Sequence, residues 1–330
     1  MTAPAHHNPN GGFRNPWPGS ALHGFGGLFK WMLTRSRRES ATSSDFTAKP
    51  VQQEVPPDAS DTLSVTWIGH SSFLIQFGRV NILTDPIWSD RASPLGFAGP
   101  KRLVPPGIAL ESLPRIDVIV VSHDHYDHLD DKTVQRLIAQ FPEASWLTPL
   151  GVGDFLRKRG ATSVQEFDWW SEAVVGAATL ACTPAQHFSG RYPWNRNATL
   201  WCGWTMRVGE MAVFFAGDTG LHPEFGTIAQ RFGPFEISIL PIGAYDPRWF
   251  MHPVHMAPEE AVQAFRTIDS VDPTRSGVLV GSHWGTFRLT DEPVDEPPAL
   301  ARQAWSTAKL PPENLWILTH GESRAIHQTR

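Results

Sequence analysis

Cysteine is nearly absent from this chain, with only Cys182 and Cys202 among 330 residues. So few thiols exclude a disulfide framework and fit a reducing compartment. Both read as small buried hydrophobes. Tyrosine is scarce as well, three against 14 Trp and 19 Phe. Basic residues are outnumbered, 28 Lys and Arg against 33 Asp and Glu, for a net charge of −5. That balance excludes a nucleic-acid binder that works through a general basic surface. No apolar run approaches the ~20 residues of a membrane-spanning helix. The first residues lack the basic stretch and apolar run of a secretory signal. A cytoplasmic protein is expected, with peripheral membrane contact through its first residues as an option. No short-period repeat is visible, which excludes a solenoid.

What is present suits a folded globular chain, at 41% hydrophobic and 18% charged residues. Residues 1–60 read as an N-terminal arm and linker, and residues 61–330 as one domain. The arm holds Asn, Gly and Pro from 8 to 27, then the apolar stretch Phe25-Gly26-Gly27-Leu28-Phe29-Lys30-Trp31-Met32-Leu33. Arg35, Arg37 and Arg38 follow, and 40–57 reads as a linker. Such an arm either packs on the body or rests on an anionic membrane surface. His6-His7 is too short a tract to indicate a metal site. Trp17, Trp31, Trp88, Trp194 and Trp249 lie in polar or Pro/Gly-rich surroundings. They serve either as plugs in the packing or as a lipid-facing lip.

From residue 61 onward, strands are expected at 65–68, 72–77, 80–84, 117–121, 145–148 and 163–167. Helices are expected at 132–140 and 153–158. A second series follows, with strands at 178–182, 200–208, 211–216, 237–240, 278–280 and, last, 316–319. Its helices are expected at 223–231, 258–265 and 298–307. Two similar halves of this kind predict an α/β fold with two β-sheets face to face and helices outside, an αββα sandwich.

The chemistry concentrates in His123-Asp124-His125-Tyr126-Asp127-His128, directly after the apolar run Val118-Ile119-Val120-Val121. Three imidazoles and a carboxylate at the end of a strand suit a divalent metal, zinc first. Four further residues also sit just after an apolar strand: Asp85, His187, Asp218 and His283. Strand ends on one edge of a sandwich bring such residues into one cleft. His255 differs, lying in the loop Met251-His252-Pro253-Val254-His255.

This set resembles the metallo-β-lactamase superfamily. Longer strings make the chain similar to the N-acylphosphatidylethanolamine-hydrolysing phospholipase D family within it. They include Phe13-Arg14-Asn15-Pro16-Trp17-Pro18, Leu83-Thr84-Asp85-Pro86-Ile87, Asp168-Trp169-Trp170 and Phe215-Ala216-Gly217-Asp218-Thr219-Gly220. Pro241-Ile242-Gly243-Ala244-Tyr245, Pro247-Arg248-Trp249-Phe250-Met251 and His283-Trp284-Gly285-Thr286-Phe287 belong to the same set. The resemblance implies two zinc ions, one on His123, His125 and His187, the other on Asp127, His128 and His283, with Asp218 bridging. Iron or manganese would accept similar ligands. Asp85 would support a ligand imidazole by a hydrogen bond. The implied activity is hydrolysis of N-acylphosphatidylethanolamine to an N-acylethanolamine and phosphatidic acid by a metal-bound hydroxide. Asp127 and Asp218 would orient that hydroxide, and His255 would assist the leaving alkoxide.

Two stretches depart from the family. Animal members read His-Val-Asp-Pro-Glu-Glu where this chain has His255-Met256-Ala257-Pro258-Glu259-Glu260, and segment 190–197 is unlike theirs. Other readings therefore stay open: a hydrolase of small phosphodiesters or lactones on the same scaffold, or a non-catalytic membrane-associated metal-binding protein. Phe29, Trp31 and Trp249 are candidates for an acyl-chain wall. Arg248 either meets a phosphate or forms a surface ion pair. The oligomeric state is not legible.

Overall fold

Alternation along the strands decides how the layers stack. In Val118-Ile119-Val120-Val121, Val118 and Val120 enter one hydrophobic cluster, while Ile119 and Val121 enter a second. A strand buried on both faces explains the unbroken β-branched run. The computed structural model describes residues 4–20, 23–35, 62–192 and 194–327. The expected basic residues Arg37 and Arg38 and the linker 40–57 lie outside the described residues.

The first sheet is built from β1 (Thr62–Gly69), β2 (Ser72–Phe77), β3 (Val80–Thr84), β4 (Val118–Val120), β5 (Ser145–Pro149) and β6 (Val164–Phe167). The second contains β7 (Glu172–Val175), β8 (Ala178–Thr183), β9 (Gly203–Val208), β10 (Met211–Phe215), β11 (Ile237–Pro241), β12 (Val278–Ser282) and β13 (Leu315–Trp316). A final strand, β14 (Ser323–His327), returns to the first sheet and pairs antiparallel with β1. The sheet orders are β14-β1-β2-β3-β4-β5-β6 and β13-β12-β11-β10-β9-β8-β7.

The helices are α1 (Phe25–Thr34), α2 (Asp131–Gln140), α3 (Gly153–Arg157), α4 (Phe225–Phe232), α5 (Arg248–Met251), α6 (Pro258–Asp269) and α7 (Glu296–Thr307). Val134 and Leu137 of α2 and Leu156 of α3 cover Ile119, Val121 and Trp146 on the outer face of the first sheet. Ala261, Val262 and Phe265 of α6 and Trp305 of α7 join the cluster formed by the second. The expected αββα sandwich is therefore the observed architecture. Asp130 caps α2, its carboxylate accepting from Thr133 N at 3.2 Å. Pro258 opens α6, where Glu260 accepts from Ala257 N at 2.8 Å.

Several elements differ from the sequence reading, among them α5, which has no counterpart in it. The strand expected last, at 316–319, is cut short, since β13 ends at Trp316, and β14 is the last strand among the described residues. β7 was not expected; its burial is only partial and Val174 is exposed, because it is an edge strand. The apolar stretch of the arm is a helix, α1.

Candidate metal centre

β1, β3 and β4 run parallel in the first sheet and β8, β10 and β12 in the second, and the residues that follow them meet on one edge. Each delivers polar residues just beyond its end. β1 delivers His70, β3 Asp85, β4 the segment His123–His128, β8 His187, β10 Asp218 and β12 His283. These side chains form interlocking groups. Donor atoms of His123, His125 and His187 lie within 4.8 Å of one another, as do those of His70, Asp127, His128 and His283.

In the first group, His125 Nδ1 is 2.8 Å from His123 Nε2 and 3.2 Å from His187 Nε2. In the second, Asp127 Oδ2 is 3.0 Å from His70 Nε2 and 3.5 Å from the Nε2 atoms of both His128 and His283. Asp218 stands between the groups. Its Oδ2 is 3.1 Å from His128 Nε2, 3.0 Å from His283 Nε2 and 3.8 Å from His187 Nε2. All the residues foreseen as ligands therefore converge.

In His128, His123 and His187 the opposite ring nitrogen is held from behind. Asp85 Oδ2 is 2.7 Å from His128 Nδ1, and Asp85 Oδ1 accepts from Ser122 N at 2.6 Å. Ser122 Oγ is 2.9 Å from His123 Nδ1, and the Val254 carbonyl is 2.9 Å from His187 Nδ1. Such contacts fix ring orientation and tautomer. The turn before Asp218 is tight: Gly217 has φ +61, and a Cβ there would meet Ser122 Cβ at 2.6 Å. His70, Asp85 and His283 also have positive φ, at 57, 32 and 61. Non-glycine residues in this region carry strain that recurs at functional sites.

His70 is the residue that sequence reasoning missed. It obeys the criterion that found the others, following β1 directly. Its backbone N–H donates to Thr286 Oγ1 at 2.7 Å, and its carbonyl accepts from His283 N at 3.2 Å. His320 is 2.9 Å from the same Thr286 hydroxyl and lies against Trp67. It braces the turn that carries His283. Glu322 accepts from Thr319 N at 2.9 Å and is a loop cap.

Charge divides the cluster. Burial holds His125 and His70 down to about 3, aided by neighbouring imidazoles, and holds His187 at about 4. Burial opposes the charged form of His128 too, but Asp218, Asp127 and Asp85 outweigh it and raise this imidazole well above its ordinary value. His283 is pushed up to about 9, Asp218 overcoming burial. Burial likewise opposes the ionised forms of Asp127 and Asp218, but His128 and its neighbours hold both carboxyls well below their usual range.

The donor set fits divalent metal. His128 Nε2, His283 Nε2 and Asp218 Oδ1 are buried without a hydrogen-bond partner among the described residues, although they crowd together. Buried polar atoms that face one another without bonding suit coordination better than a hydrogen-bond network.

A cavity of about 340 Å³ opens beside the cluster, and His255 lines it together with Leu28, Trp31, Phe188 and Phe250. His255 is buried, its Nδ1 has no partner among the described residues, and its ring is 5.0 Å from that of His187. The unusual segment 190–197 contributes Gly190, Tyr192 and Arg196 to the walls. Gly190 N donates to Asp124 Oδ1 at 2.7 Å, and Arg191 donates to the carbonyls of Asp124 and Leu129, so this loop is clamped to the histidine segment.

The aromatic wall is only partly the expected one. Trp31 lines the cavity, but Phe29 and Trp249 do not, and Phe250 takes their place. Arg248 is engaged by Glu260 at 2.7 Å and by the His255 carbonyl at 3.0 Å, so it braces the loop that carries His255. Of the other tryptophans, Trp88 is a packed plug whose Nε1 donates to Ile108 O, whereas Trp194 is exposed and stacks on Tyr192.

Comparisons with known proteins agree with this geometry. Residues 80–284 match the model of the β-lactamase superfamily domain. An uncharacterized protein of Mycobacterium tuberculosis is 47% identical over 73% of this chain, which spans 63% of that relative's length. N-acyl-phosphatidylethanolamine-hydrolyzing phospholipase D 1 of Caenorhabditis elegans is 38% identical over 84% of this chain and 81% of its own. Among solved structures, a metallo hydrolase of the archaeon Ignicoccus hospitalis superposes with a TM-score of 0.60, at 23% identity, over 81% of this chain and all of its own. A His/Asp cluster at the carboxyl edge of two facing sheets, and relatives of this kind, lead to one conclusion: the chain belongs to the metallo-β-lactamase superfamily, together with the N-acylphosphatidylethanolamine-hydrolysing phospholipases D.

Proposed function

We propose that this chain acts as a phospholipase D on N-acylphosphatidylethanolamine, with two zinc ions. The observation that carries the reading is the apolar cavity that meets the metal cluster at His255. A small polar substrate has no use for walls of Leu28, Trp31, Phe188 and Phe250. An acyl chain buried there gains roughly 0.8 kcal/mol per methylene. His123, His125 and His187 would hold one ion, Asp127, His128 and His283 the other, and Asp218 both. When bound, the metals lower the pKa of a shared water toward neutrality and offset charge on the phosphoryl oxygens.

The remaining work falls to this chain's own groups. Asp127 and Asp218, held ionised by the imidazoles around them, orient the attacking water and accept its hydrogen bonds. The water oxygen adds to phosphorus, and the bond from phosphorus to the ethanolamide oxygen breaks. His255, at the junction of cavity and cluster, stands where that leaving oxygen needs a hydrogen bond or a proton. Asp85 holds His128 in orientation, and Arg248 holds the His255 loop.

The surface around the mouth suits a membrane. Phe29, Met32 and Leu33 of α1 are 62%, 65% and 70% exposed, and Trp194, stacked on Tyr192, is 81% exposed. An amphipathic helix with such a face lies in the lipid interface. No helix among the described residues is long and apolar enough to cross a membrane. The test is incubation of the zinc-loaded protein with N-acylphosphatidylethanolamine in mixed micelles, with products identified by mass spectrometry. N-acylethanolamine and phosphatidic acid in equal amounts are expected. No product from this lipid, with turnover of a short phosphodiester or a lactone, would sink the reading.

A further inference from the structure

The dipeptide His6-His7, uninformative as sequence, meets a third partner in the fold. His6 Nε2 is 2.6 Å from Asp168 Oδ1, and His7 Nε2 is 2.8 Å from Asp168 Oδ2. The three donor atoms lie within 4.8 Å of one another, the same closeness that marks the catalytic groups. The two imidazoles are nearly perpendicular, at 72°, with centroids 4.7 Å apart. Their Nε2 atoms thus approach one carboxylate from different directions.

Each donor is held independently. His6 is buried and lies flat on Trp169, with centroids 4.1 Å apart. His7 packs edge-on against Phe13. Asp168 Oδ1 accepts from Trp169 N at 2.9 Å. The arm is folded back on itself, with Arg14 N donating to His6 O and Asn8 N to Gly12 O. Gly12 allows the close approach: its φ is +74, and a Cβ would stand 2.4 Å from Asn197 O.

We propose that His6, His7 and Asp168 form a further divalent-metal site, separate from the catalytic cluster, that ties the N-terminal arm to the body. Two imidazole nitrogens and one carboxylate are a recurrent set for zinc and other late first-row ions, with a remaining position for water. His7 is the more exposed of the two histidines and gives that position access to solvent. The tie has a structural reach. Asn15, next to Arg14 on the same arm, donates from Nδ2 to the carbonyl of His187 at 2.9 Å. Its Oδ1 accepts from Trp201 Nε1 at 3.2 Å. A metal on the arm thereby secures the segment that supports the backbone of a residue in the catalytic cluster.

The test compares the full chain with its His6→Gln/His7→Gln variant. Glutamine amides can still donate to Asp168, so a purely hydrogen-bonded clamp survives while both nitrogen ligands are lost. Both proteins are saturated with Zn²⁺, desalted, and counted by native mass spectrometry and elemental analysis. The wild type is expected to hold one zinc more per chain than the variant. Equal counts would overturn the proposal. If the double variant does not fold, His7→Gln alone is titrated with zinc. It should weaken the additional equivalent by about 10-fold or more, and an unchanged titration would overturn the proposal. Neither measurement depends on the lipid substrate, so failure here and failure of the phospholipase reading are distinguishable.

Discussion

Every side chain in the metal cluster leaves the end of a strand, whereas the cavity beside it is lined from α1, α5 and loops. His128, His123 and His187 are clamped from behind by Asp85, Ser122 and the Val254 carbonyl. Phe29 and Leu33, exposed on the helix that lines the cavity, and Trp194, exposed against the lining residue Tyr192, are apolar. Strand ends in two packed sheets have almost no freedom, which suits ligands that must hold a geometry to a fraction of an ångström. Loops and an arm can vary without disturbing the sheets. Catalytic power and substrate choice therefore reside in separate layers of this molecule, and substitutions should separate them.

The largest effect is expected at the residue shared by both ligand groups. Asp218→Asn should lower the turnover of any substrate by roughly 10³-fold or more, since several kcal/mol of charge stabilisation are lost. Steady-state rates together with a zinc count check this, and near-normal turnover would break the comparison at its root. Next, Asp85→Asn weakens the support behind His128 and the contact with Ser122, and removes no foreseen ligand. A loss of about 10–100-fold in metal affinity or activity follows, with KM for lipid unchanged.

A change in the mouth should behave in the opposite way. Trp31→Ala removes apolar wall from the cavity and should raise KM for micellar lipid about 10–100-fold, from roughly 1.5–3 kcal/mol of lost burial. Turnover of a short, soluble phosphodiester should stay as it was. Equal damage to both substrates would show that the two layers are not separate.

The smallest effect concerns proton linkage. In chelated protein, His283 is raised to about 9 by Asp218. A raised folded-state value means that its stabilising contribution is complete below the unfolded value of about 6.5 and is lost as pH rises through about 9. The melting temperature of chelated protein should fall over that window, and His283→Gln should flatten the fall. Trp31→Ala should shift the curve without changing its slope. Zinc binding releases the ligand protons, so the zinc-loaded protein should not follow this profile.

Much of the cradle was legible because its rule is local: an apolar strand, then a ligand. The rule found Asp85, the segment 123–128, His187, Asp218 and His283. His70 obeys it too, but a lone histidine between two strands carries no second signal, and only the sheet shows that β1 ends on the same edge as β3. The mouth was less legible. Trp31 was foreseen, but Phe250 was not, and Arg248 turned out to be committed to Glu260 and the His255 loop. Those outcomes depend on how α1 and α5 meet, which no periodicity encodes. The pairing of His6 and His7 with a carboxylate some 160 positions away is of the same kind.

The return of β14 to the edge of β1 sets an order of events during synthesis. β1 leaves the ribosome well before its partner on one side, residues 323–327. Until then β1 presents a row of unpaired backbone groups, a template for pairing with another chain. His70 is carried at the end of that strand. Completion of the sheet is thus a late, long-range event, and a nascent chain stalled before residue 323 would expose a sticky edge beside an already assembled core.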